Sequence, residues 1–201
     1  MILTPINPHD LPGIFAAFRE GLHYDVAAQH VFERIAATLR FAPDLKADLN
    51  AGRAKAVDLA QRMGIPTIDE DPAAAFSWDG FAIRTRSETS VVFHEIAHWQ
   101  IAPLERRGLY DFGLGAGPET GRLTEANNAA CVDNATKEEE ENLASLLGVL
   151  WEVEHDEPAI IAFAEQNWLE LPDRPGTPKH FVECLGVLAR RGLVPISFSR
   201  I

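Results

Sequence analysis

The stretch Val91-Val92-Phe93-His94-Glu95-Ile96-Ala97-His98-Trp99 decides how the rest of this 201-residue chain is read. Its apolar residues recur at helical spacing. Ser87 can cap the helix, Glu88 suits its positive end, and Pro103 stops it. The pattern is H-E-x-x-H. Positions i and i+4 lie on one helical face, so His94 and His98 can reach one metal ion. Glu95 sits between them as a candidate catalytic residue, acting on a metal-bound water or orienting the ligands. A His-Glu-His set on so apolar a helix would otherwise bury polar groups at a cost. The competing reading is a pair of hydrogen-bonded core histidines beside a surface glutamate.

Two histidines do not complete a site, and the third ligand should come from another element. The run Glu138-Glu139-Glu140-Glu141 opens a strongly apolar helix over 138–151. If Leu143 and Leu150 mark its inner face, Glu139 and Glu140 point inward while Glu138 and Glu141 point away. Glu139 is therefore the expected third ligand and Glu140 the alternative. The plainer account of the run is an acidic first turn that complements the helix dipole.

Outward from this pair, further helices are expected over 10–20, 26–41, 51–63, 158–168 and 178–190. Asp10 can cap the first, Pro12 lies in its first turn, and Gly64 with Pro66 closes the third. Residues 76–85 read as a short hairpin or strand pair around Asp79-Gly80. The glycine-rich stretch 112–121 reads as loop, without the Lys-Ser/Thr of a phosphate-binding loop. No repeat or linker divides the chain, so one domain over 1–201 is expected. The fold class is α+β, mainly helical, with a zincin-like helix pair around a metal site and a small β element.

Composition narrows the function classes. Eighteen Lys+Arg against thirty Asp+Glu leave a net charge of −12. That charge disfavours nucleic acid and anionic membrane as partners. No apolar run is long enough to span a bilayer, and the first ten residues lack the basic start of a secretory leader. Cys131 and Cys184 form no disulfide framework, so buried thiols and a reducing cytoplasm are expected. His155 and His180 read as surface histidines, with an acid, base or donor role as the alternative.

His94-Glu95-x-x-His98-Trp99, followed by Ile101-Ala102, Arg106-Arg107 and Asp111-Phe112-Gly113, resembles the central block of elongation factor P hydroxylase. That family is a non-haem, metal-dependent hydroxylase acting on a lysine-derived side chain of a translation factor. The resemblance is close over 94–113 and looser from 76–85 to the acidic helix. It implies that His94 and His98 bind metal, with a downstream glutamate as third ligand. Placing that helix by its Ala144 again points to Glu139. It also implies a protein or peptide substrate. Arg106-Arg107 could grip a carboxylate or phosphate, the plainer account being a solvated face, and with Asp111 they are the candidate substrate-binding residues. After Gly113 the chain lacks the aromatic residues of that family.

Three functions follow as expectations. The first is a non-haem Fe(II) hydroxylase built on two histidines and one carboxylate. The second is a Zn(II) metallopeptidase with Glu95 as general base and Tyr110 or His155 as oxyanion donor. The third is a non-catalytic metal- or partner-binding domain.

Overall fold

The computed structural model describes residues 10–41, 49–72, 78–116, 122–169, 176–194 and 198. The fold is mainly helical with one small parallel sheet. In chain order the elements are α1 (Leu11–Gly21), α2 (Val26–Ala37), α3 (Leu49–Arg62), β1 (Thr67–Ile68), β2 (Ile83–Arg84), α4 (Thr89–Ile101), α5 (Leu123–Ala129), α6 (Asn134–Glu154), α7 (Ala159–Glu165) and α8 (Thr177–Arg190). Single 3-10 turns lie at Leu104–Arg106 and Tyr110–Gly113. No helix among the described residues is long and apolar enough to cross a membrane.

The described residues group into two compact units. One lies within 46–148, and the other within 2–45 and 149–201.

In the first unit, β1 and β2 pair in parallel, Thr67 opposite Ile83 and Ile68 opposite Arg84. This differs from the expected hairpin. Across Asp79-Gly80 an antiparallel bridge, Trp78 to Ile83, is the pairing among the described residues. Asp79 explains the tight reversal. Its Oδ1 accepts the N–H groups of Phe81 at 2.9 Å and Ala82 at 3.0 Å, and its Oδ2 accepts from Arg84 at 2.7 Å. The two backbone bonds use N–H groups that a longer ladder would need. The expected strand start at 76 lies outside the described residues, as do 117–121 of the glycine-rich stretch. The short helix α5 was not expected.

Helix α4 begins after Glu88 and ends before Pro103. Val92, Phe93, Ile96, Ala97 and Ile101 are buried along it. Helix α6 starts four residues earlier than expected, because Asp133 accepts the N–H of Thr136 at 2.8 Å and caps it. Residues 143–150 of α6 are buried around its whole circumference.

The second unit has an aromatic core. Phe18 packs on Phe32 at 4.6 Å and on Phe163 at 5.5 Å, and Phe163 on Phe181 at 5.7 Å. Asp25 caps α2 through the N–H of Ala28, whereas Asp10 makes no side-chain cap on α1. Gly21 lets α1 meet α8, since a Cβ there would stand 2.5 Å from Pro178 Cγ.

Candidate metal centre

Helix α4 sets His94 and His98 one turn apart. Their Nε2 atoms lie 2.9 Å from each other, with the rings nearly perpendicular. From α6, Oε2 of Glu141 lies 3.6 Å from the Nε2 of each histidine. Among the described residues these three form the one group of His, Cys, Asp and Glu donors close enough to hold a metal ion. The donor set suits a divalent cation. Bonds of about 2.0–2.1 Å meeting at about 90–110° hold two nitrogens about 2.9–3.4 Å apart.

Glu141 replaces the expected Glu139 as third donor. Glu139 is exposed, and Glu140 is buried against Arg106. The expectation failed because it assigned α6 a single inner face, through Leu143 and Leu150. A helix buried all round has more than one. Gly148 marks the face that matters, seven residues beyond Glu141 and so on the same side. A Cβ on Gly148 would lie 3.2 Å from both Cα and N of His94, tighter than ordinary contact, so glycine eases this approach. A glycine inside a helix costs about 1 kcal/mol relative to alanine, and that anomaly was the available signal.

The electrostatics favour the charged forms of His98 and Glu141 and the neutral form of His94. Burial works to raise the Glu141 carboxyl pKa, but the two imidazoles hold it well below the usual carboxylate range. Burial works to lower His98, yet Glu141, with help from Glu95 and Asp111, pushes it up to about 9. His94 is lowered by burial and by the charge on His98. Nδ1 of His94 is buried with no hydrogen-bond partner among the described residues. A metal-bound imidazole ordinarily donates from its second nitrogen, and no protein acceptor stands there.

Glu95 is buried on α4, and its charge acts on His98. It does not join the three converging donors. Asp111 is half-buried, with its pKa raised first by burial, and its charge couples to His98 and Glu141. It stands in the left-handed region at φ 47°, followed by Phe112 at φ 52°. Two successive non-glycine residues there are strained. The turn places the Phe112 ring on His98 at 5.5 Å, and Trp78 stacks on the same Phe112 ring at 5.1 Å.

The two arginines expected to bind substrate make contacts within the protein. Arg106 is buried, donating Nη1 to the carbonyl of Phe112 at 2.9 Å and pairing Nη2 with Glu140. Arg107 lies over the Trp99 ring at 3.7 Å and donates to Ala102 O at 3.1 Å. Both guanidiniums are engaged by the protein itself.

Tyr110 is half-buried near Arg122. His155 and His180 belong to the second unit. There His155 Nδ1 bonds Trp151 O, and His180 stacks on Trp168 beside Cys184. Cys184 is buried as expected, whereas Cys131 is exposed.

No family model, no curated protein and no solved structure matches the chain.

Proposed function

We propose that the protein is a metal-dependent enzyme of the two-histidine, one-carboxylate kind, binding Fe(II) and hydroxylating a side chain of a protein or peptide. The carrying observation is that one oxygen of Glu141 stands 3.6 Å from both ring nitrogens of a helical His94/His98 pair. A facial set of three donors leaves other coordination positions open, as oxygen-activating iron sites require. The block from His94 to Gly113, with its resemblance to elongation factor P hydroxylase, supports the same reading. Ferrous iron held there would supply the redox chemistry of oxygen activation.

The chain's own residues do the rest. Glu141 offsets the cation's charge. Phe112 shields one face of His98 from water and keeps the imidazole in plane. Asp111, half-buried with its charge felt at His98, would receive a cationic group of the substrate. The acidic net charge fits a basic peptide target.

A zinc peptidase is the second reading, favoured by the burial of Glu95 and its influence on His98. Glu95 would then be the general base. The deciding experiment incubates anaerobically purified, Fe(II)-loaded protein with Lys-containing peptides, oxygen and a two-electron reductant such as ascorbate, so that the second oxygen atom leaves as water. Mass spectrometry should show addition of one oxygen to an uncut peptide. Cleavage by the Zn(II) form with no oxygen added overturns the hydroxylase reading in favour of the peptidase. Failure to take up either metal leaves the non-catalytic reading.

A further inference from the structure

Arg106 is a cation with 8% of its surface exposed, and its two terminal nitrogens point to different parts of the candidate centre. Nη2 pairs with Glu140, whose neighbour in α6 is Glu141. Nη1 donates to the carbonyl of Phe112, whose ring packs on His98 at 5.5 Å and 20° between planes. We infer that Arg106 is a positioning residue that holds the carboxylate arm and the imidazole arm of the centre in register. The inference rests on reading His94, His98 and Glu141 as a metal site.

Three physical points carry it. Phe112 sits at φ 52° directly after Asp111 at φ 47°, a backbone that does not persist without outside support. The support is visible. Asp111 N–H donates to Trp78 O at 3.4 Å, Phe112 N–H to Leu109 O at 3.2 Å, and Arg106 to Phe112 O. Second, the ring stacks on two aromatic neighbours, Trp78 at 5.1 Å and 6° and His98 at 5.5 Å and 20°. Trp78 is itself anchored, its Nε1 donating to Arg107 O at 3.0 Å. A shift of the Phe112 backbone therefore moves a surface of His98. Third, burying a guanidinium is costly unless its hydrogen bonds are met, so two acceptors on separate elements are tied together by one rigid fork. Lysine carries a single point charge and cannot span both acceptors in that geometry.

The test uses the full chain and Co(II), whose ligand-field absorption reports the coordination geometry. Wild type, Arg106→Lys, Phe112→Leu and the double variant are titrated with Co(II), with folding followed by circular dichroism. Arg106→Lys should stay helical, weaken Co(II) binding about ten- to hundredfold and shift the absorption band. The double variant should lose less than the product of the two single losses, because both remove one linkage. Wild-type affinity and band in Arg106→Lys, or losses that multiply, overturn the inference. If Arg106→Lys does not fold, Glu140→Gln is read the same way, since it weakens the α6 end of the link. Absence of Co(II) uptake by the wild type overturns the metal reading itself.

Discussion

Gly148 of α6 meets the backbone of His94 in α4 so closely that a Cβ would stand 3.2 Å from two of its atoms and 3.4 Å from Phe93 C. The neighbours are backbone and cannot swing aside. Gly148→Ala should therefore destabilise by about 1–3 kcal/mol through overpacking, outweighing about 1 kcal/mol gained in helix propensity. It should also weaken metal binding by parting Glu141 from the histidines. Gly186→Ala in α8 is the contrast, because the nearest atom is the flexible end of Arg190 at 3.4 Å. That change should stabilise by about 0.5–1 kcal/mol. Urea midpoints of the two variants check the pair of signs.

The four adjacent glutamates should separate sharply. Glu141→Ala should reduce Zn(II) affinity at least a hundredfold in chelator competition, and His94→Ala or His98→Ala should do the same. Glu139→Ala should leave affinity unchanged, as its side chain is exposed. Unchanged affinity in Glu141→Ala would remove Glu141 from the site.

Strain at Asp111 gives a stability prediction. At φ 47° this residue holds a conformation costing a non-glycine residue roughly 1 kcal/mol. Its carboxyl is also penalised by burial. Asp111→Gly should raise thermal stability while impairing handling of a cationic peptide. A lower melting temperature would mean that contacts of the carboxylate outweigh the strain.

In the second unit, burial pushes the Glu152 carboxyl pKa up to about 8, with Glu157 and Glu165 adding to the shift. The folded form then binds one proton more than the unfolded form between the ordinary value of 4.5 and about 8. Stability should fall as pH rises through that window, by up to about 1.4 kcal/mol per pH unit from this one group. Glu152→Gln removes the titration. Its advantage over wild type should be largest at pH 8 and shrink towards pH 5 in urea unfolding. A constant offset across that range would rule Glu152 out as the source.

Much of the local structure was readable because its causes are local. The apolar spacing of 91–101, the stop at Pro103 and the turn at Asp79-Gly80 appear where their chemistry put them. The partner of β2 was not readable. Parallel pairing joins Ile83 to Thr67 across intervening chain, and no periodicity within 76–85 encodes it. Asp133 as the α6 cap was a missed local signal, since a helix opening on four glutamates drew attention past it.

The sequence by itself determined a mainly helical chain with His94 and His98 on one face of α4, since a spacing of four residues in a helix permits nothing else. Only the tertiary structure decided which glutamate faces them and what Arg106 does. Both depend on how α6 is rotated and how near it comes to α4, and that follows from the missing side chain of Gly148. It also depends on the Arg106 fork that joins Glu140 to the carbonyl of Phe112. Such contacts link residues far apart in the chain, where the pattern of any single helix is silent.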